Sequence, residues 1–366
     1  MDDWAIAFAD NDLRLRPERG KRVSVMMFRV WAAAGLAAAS LTGVARAETA
    51  SFKDWTAVCD NIRDCTAFGF SPESPEAVET MGYVKVERGP GRLATPLITI
   101  TTYQQERVPW RIAVDGRVVA SVTPAPSPDD DQASVELTPE QARAVLGATR
   151  NGQKLTVTAG SGTTVISLAG SAAALRWIDE RQKRVGTTTA LLAVGRKPAT
   201  AVPPPLPRPL VRAAAPVSQA GLPQKLPASV KARLKTCDDD IDSLGIDPIV
   251  ARLSAGVILW GPVCSRGAYN IIYSFLLSDE RGGNVRPAVI PFETRETTDS
   301  LMNADFDPKS QTLTNFDKGR GLGDCGAETT WVWDGRAFRL AEQTLMPECR
   351  GVLAGDWPSS FVSRAR

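Results

Sequence analysis

Pro96-Leu-Ile-Thr-Ile-Thr-Thr-Tyr103 is dense in β-branched and aromatic residues, so it reads as a β-strand. Gly82-Tyr-Val-Lys-Val-Glu87, a few residues upstream, reads the same way. Working outward, Asp115-Gly116 lies between RIAV and RVVASV, and Asn151-Gly152 precedes QKLTVTA; both pairs are turn signals. Two helices are expected among these strands. Thr138-Pro139-Glu140-Gln141 supplies an N-cap, a proline at the first helical position and a capping-box Gln. The second helix spans about 171–185, from Ser171 through ALRWIDERQKRV to a stop at Gly186, with Leu175, Trp177 and Ile178 as core contacts.

Farther along, SVKARLKTC predicts a short helix, and RLSAGVILWGPVC, YNIIYSFLL and RPAVIPF predict buried strands. WVWDGRAFRLAEQ reads as a hairpin closed by a two-residue Asp334-Gly335 turn. Between the two strand-rich regions, residues 196–227 hold nine prolines, the bases Arg196, Lys197, Arg208, Arg212 and Lys225, and no acid. Such a stretch is extended, polyproline-like chain, read here as a tether rather than a docking site because no aromatic or repeated motif marks it. The expectation is therefore a mainly β (α+β) protein with a few short helices. Its plan is a leader over 1–47, an antiparallel β-rich domain over 48–195, a Pro-rich linker over 196–227 and a disulfide-stabilised β-rich domain over 228–366. The length of 366 residues, 43% hydrophobic and 23% charged, suits two domains and excludes disorder throughout.

The leader carries an export signal. Residues 30–45, VWAAAGLAAASLTGVA, follow Lys21, Arg22 and Arg29 and run into Ala45-Arg46-Ala47, a small-x-small cleavage pattern. Sixteen apolar residues fall short of the roughly 20 needed to span a bilayer, which favours cleavage over a permanent anchor. Residue 48 is Glu, so no cysteine follows the cut to carry a lipid. Residues 1–25 are polar and mixed in charge, and a start at Met26 or Met27 would give a more ordinary signal. The expected fate is export into an oxidising compartment. Residues 1–47 contain seven basic and five acidic residues, and the remainder carries 36 of each. A neutral chain gives no reason to expect nucleic acid or anionic lipid as a partner.

Cys59, Cys65, Cys237, Cys264, Cys325 and Cys349 all follow the cut. An even number in an exported chain favours three disulfides, and although six cysteines allow 15 pairings, proximity suggests Cys59–Cys65, Cys237–Cys264 and Cys325–Cys349. Zinc is excluded on this reading because the chain has no C-x-x-C and no histidine.

The absence of histidine removes Ser-His-Asp and Cys-His catalysis. No G-x-S-x-G, S-x-x-K or phosphate loop is present. Gly319-Arg-Gly-Leu-Gly323 opens no helix and reads as a turn. Asp238, Asp240 and Asp242 begin like a calcium loop but meet Ser243 and Ile249 where Gly and Glu are required. Asp129-Asp130-Asp131 reads as an exposed loop. Neither a metal nor a cofactor is expected.

Carboxylates are the remaining acid–base groups, with Asp305, Asp307 and Asp324 near Trp331 and Trp333 as candidates for work on a sugar. The two tryptophans share a strand face, an arrangement that a core uses equally well.

FKDWTAVCDNIRDCTAFGF, ILWGPVCSRGAYN, NADFDPKSQTLTNFDKGRGLGDCG, WVWDGRAFRL, MPECRG and DWP together resemble the six-cysteine bacterial family known as domain of unknown function 1176, over about 50–360. The first half is also similar, more weakly, to the invasion-associated locus B proteins, through a W…C opening and the late VISLAGSAAALRWI. The resemblance implies a Gram-negative envelope protein and carries no catalytic residues. The expected function is a non-enzymatic binding or structural module, its partner an envelope protein or a glycan. The candidate surface comprises Arg266, Tyr269, Asn270, Arg320, Asp324, Trp331 and Trp333. The alternative is a carboxylate-based hydrolase of cell-wall glycans, which requires a cleft with two convergent carboxylates, one of them desolvated.

Overall fold

The computed structural model describes residues 46–73, 80–103, 108–124, 132–223, 225–235, 237 and 245–365. The apolar run of the export signal, the acidic run at 129–131 and the calcium-like loop at 238–242 lie outside the described residues. The protein is mainly β, built from small antiparallel sheets with three short α-helices among the described residues.

The first sheet takes β1 (Glu48–Phe52), β2 (Trp55–Cys59), β3 (Cys65–Phe70), β4 (Gly82–Arg88) and β5 (Leu97–Thr102) as a meander. A second sheet is built from β6 (Trp110–Val114), β7 (Arg117–Val122), β9 (Lys154–Ala159) and β10 (Gly162–Ser167), while β8 (Ala133–Glu136) closes the first beside β5. In β4, Val84 and Val86 point into the core and Lys85 and Glu87 lie less buried, the alternation a half-buried strand requires. Helix α1 (Pro139–Thr149) begins with the complete capping box: Gln141 N–H donates to Thr138 Oγ1, and Thr138 N–H donates to Gln141 Oε1. Helix α2 (Ser171–Arg181) packs on β1 to β3 but ends earlier than the expected 185. Gln182 turns its side chain inward to donate to the carbonyls of Arg63 and Arg88, and Lys183 takes φ 59°, which stops the helix.

The C-terminal half has its own sheets. The longest joins Asp305–Asp307, Thr312–Lys318, Gly326–Trp333, Phe338–Met346 and Ser359–Val362. RLSAGVILWGPVC forms parts of three strands, Ile249–Ser254, Val257–Gly261 and Val263–Arg266, rather than one run. RPAVIPF yields only two-residue strands, Arg286–Pro287 and Ile290–Pro291, because prolines lack the N–H that a ladder needs. The expected helix at SVKARLKTC covers only Ala228–Lys231.

The two Asp-Gly turns differ. Asp115 and Gly116 take φ 48° and 83° and close a two-residue hairpin. At Asp334-Gly335 only the glycine has positive φ, and the turn takes four residues, with Asp334 Oδ1 accepting from the N–H groups of Arg336 and Ala337. That side-chain bracket replaces the expected two-residue turn.

Each half encloses a large apolar cluster of its own. A third joins Phe68, Phe70 and Tyr83 to Cys325, Met346, Val352 and Trp357. Asn61 adds a paired link, donating to Val362 O (3.0 Å) and accepting from Val362 N (2.8 Å). The described residues thereby form one compact unit. The proline-rich stretch is extended and fastened along the body: Leu210–Val211 pairs in parallel with Arg364–Ala365, Ala214 N–H donates to Trp333 O (2.7 Å), and Gln219 exchanges hydrogen bonds with the Arg252 backbone.

Candidate functional site

Three disulfides are formed, Cys59–Cys65, Cys237–Cys264 and Cys325–Cys349, the pairs that sequence proximity suggests. The third ties the Arg320–Asp324 turn to the segment Met346–Gly351, and here the C-terminal half grips the N-terminal one. Asp324 is buried, and the Arg320 guanidinium meets it with two hydrogen bonds of 2.6 and 2.5 Å. Gly351 N–H adds a third at 2.7 Å. Burial pushes the Asp324 carboxyl up, but these three donors outweigh it and hold the group below the ordinary carboxylate range. Asp324 is therefore a fixed anion and cannot serve as a general acid. Gly351 has φ 85°, and a Cβ there would stand 2.7 Å from the Tyr103 hydroxyl, so only glycine fits. Its carbonyl accepts from Tyr103 Oη and from Gln132 Nε2 (3.2 Å). Arg350 lies over the Phe70 ring at 5.2 Å and donates to Ser71 O.

Between these contacts opens a cleft of about 620 Å3, walled by Phe70, Pro72, Met81, Tyr103, Leu322 and Leu353 with Arg320 and Arg350 at its polar side. Leu322 is 77% exposed and Leu353 39%. Tyr269, 45% exposed, packs near Gly321 on the same turn. The structure thus brings together Tyr269, Arg320 and Asp324 from the sequence candidates. Asn270 supports the turn from behind: its Nδ2 donates to Lys318 O (3.1 Å) and its Oδ1 accepts from Asn303 (2.8 Å). Arg266 is exposed at the end of its strand. Trp331 and Trp333 are buried, at 0% and 2% exposure, against Phe292 and Phe338, which removes both from the candidate surface. Their strand face is the one packed on the core, where large aromatics contribute most. Asp305 and Asp307 are exposed, and Asp307 holds its own turn through Ser310 and Lys309.

Sequence reasoning missed a second feature. Asp60 and Asp64 sit in the short loop closed by Cys59–Cys65, beside a cavity of about 200 Å3 that Thr66, Lys85, Glu87, Arg208 and Asp356 also line. Burial pushes Asp60 up to about 7 and Asp64 to about 6. Asp60 Oδ1 accepts from the N–H groups of Ile62 (2.9 Å) and Asp64 (2.7 Å), so this carboxylate shapes the loop. Two acids inside so short a disulfide loop were the available signal.

Among known proteins, the uncharacterized protein YpfG of Escherichia coli (strain K12) is 31% identical over 355 residues, spanning 89% of this chain and 95% of that one. The crystal structure of invasion associated protein B from Bartonella henselae aligns over 37% of this chain and 99% of its own, at 16% identity and a TM-score of 0.28, a weak likeness that carries no argument about fold. The family model for proteins of unknown function DUF1176 matches residues 49–364. With its body matched almost from end to end, the chain belongs to the DUF1176 family.

Proposed function

We propose that this chain is an exported, non-enzymatic binding module of the bacterial envelope, and that the junction cleft holds an apolar side chain of a partner envelope protein. One observation carries the reading: the cleft's charged groups are engaged with one another or with backbone, leaving aliphatic and aromatic walls as its free surface. Methionine, leucine and phenylalanine walls suit an apolar side chain better than a sugar, which needs convergent hydrogen-bonding groups. Three disulfides support residence in an oxidising compartment. Among the described residues no helix is long and apolar enough to cross a membrane.

A photo-crosslinking residue at Leu322, compared with one at exposed Val118, tests this reading in cells. The expected result is a discrete adduct at position 322 that disappears when Leu353→Asp is added. Identical adducts from both positions, or indifference to Leu353→Asp, would remove the cleft from the account.

The second reading, a carboxylate hydrolase acting on glycans, is favoured by the two desolvated carboxylates Asp60 and Asp64 on one cavity. The loop-forming hydrogen bonds of Asp60 and the small cavity weigh against it. Turnover of purified cell-wall glycan that Asp60→Asn abolishes would establish it; no turnover is expected.

A further inference from the structure

Segments 88–94 and 182–200 meet at one end of the N-terminal half and contain six basic residues and no acidic one. Two of the six, Arg88 and Arg184, are buried and build the tip. Arg184 donates to the carbonyls of Gly89 (3.2 Å), Gly91 and Arg92 (3.1 Å), to Thr189 Oγ1 (3.0 Å) and to Gln182 Oε1 (2.8 Å). Arg88 donates to Thr189 O (2.6 Å). Asp179, also buried, accepts from the N–H groups of Leu191, Leu192 and Ala193 at 2.7 to 2.9 Å. Lys197 N–H donates to Gly186 O (3.0 Å), and Thr188 N–H to Lys197 O (2.9 Å). The loops are thus held from within.

What they leave outside is uniform in character. Arg92, Lys183, Arg196 and Lys197 are exposed, and so are Leu93 (79%), Val194 (56%) and Val185 (38%). The acids that flank these segments are engaged: Asp179 as above, Glu180 with Arg176 (3.0 Å), and Glu87 with Lys85 (3.6 Å). A single exposed aliphatic side chain needs no explanation, but three among four cations on braced loops do. The overall charge balance hides this local excess.

We propose that this tip is a docking surface for an anionic phospholipid bilayer. The four cations meet the head groups, and Leu93, Val185 and Val194 enter the interface beneath them. Nucleic acid would reward the cations and leave the aliphatic side chains without a role, so the mixed chemistry points to lipid. Near an anionic leaflet each base contributes about fivefold to partitioning.

Co-sedimentation of the purified protein with phosphatidylcholine vesicles, with and without phosphatidylglycerol, tests the proposal. Circular dichroism checks that each variant is folded. The expected result is preferential binding to the phosphatidylglycerol vesicles that weakens with added salt. It should fall about 25-fold in Arg196→Ser/Lys197→Ser, fall also in Leu93→Ser, and stay unchanged in the Arg336→Ser control. The proposal is overturned if the protein shows no preference for phosphatidylglycerol, or if folded tip variants bind as the wild type does. Binding that depends on Arg196 and Lys197 but ignores Leu93→Ser also overturns it, and would mark the tip as a site for an acidic protein surface instead.

Discussion

The two halves reach stability by different routes. In the N-terminal half, strands of four to seven residues pair in register across a six-stranded sheet, and the one disulfide joins cysteines six positions apart. The C-terminal half has the two longest strands, Gly326–Trp333 and Phe338–Met346, but several others have only two or three residues, prolines interrupt the ladders, and two disulfides join cysteines 27 and 24 positions apart. Long ladders distribute cohesion over many hydrogen bonds and alternating side chains. Short ones leave it to a few large side chains and covalent links, so the C-terminal half should be the more sensitive to single changes.

The largest effect is expected at Trp331, fully buried and donating its indole N–H to Pro291 O (2.6 Å). Trp331→Ala should cost about 3–5 kcal/mol in denaturant unfolding. Trp331→Phe should in turn cost more than Trp333→Phe, because the buried Trp333 Nε1 has no partner to lose. Equal losses at the two sites would mean that ring burial alone decides.

Disulfide removal follows. From loop length, deleting Cys325–Cys349 or Cys237–Cys264 should each cost about 3.5 kcal/mol, and deleting Cys59–Cys65 about 2 kcal/mol. The same cost for all three in urea titrations would break the contrast between the halves.

Asp60 sharpens it from the other side. Its carboxyl is raised to about 7 in the fold against an ordinary 3.8, so the folded state binds the proton more tightly than the unfolded chain. That contribution is fully present below about pH 4 and is lost as pH rises toward 7. Asp60→Asn should therefore stabilise the protein by about 1–3 kcal/mol at pH 8, with the gain vanishing near pH 4. A gain independent of pH would show that ionisation is not the cause. Thr138→Ala, which opens the capping box of α1, should have the smallest effect, about 1 kcal/mol by thermal unfolding.

What the sequence made legible follows the same division. Strands at 82–88 and 97–102, the hairpin at Asp115-Gly116 and the cap at Thr138 were readable because local pattern and tertiary environment agree there. In the C-terminal half, Asp334-Gly335 did not behave like its counterpart, because the Asp334 carboxylate brackets a longer turn. The proline-rich stretch was legible as extended chain but not as fastened chain, since its partners Trp333, Arg252 and Arg364 are distant in sequence. Of the cleft, Arg320 and Asp324 were readable as a polar turn, whereas Tyr269 was readable only as a candidate after Cys264 and not as that turn's neighbour. Phe70, Met81, Tyr103 and Leu353 were not, because the wall they form exists only once the halves close on each other.

The central claim is that this chain works outside the cytoplasm as a disulfide-stapled body, and intact mass with thiol alkylation, before and after reduction, tests it most directly in protein taken from the periplasm. The account predicts a mass beginning at Glu48, no labelled cysteine before reduction and six after. An uncut chain with freely labelled thiols would contradict it.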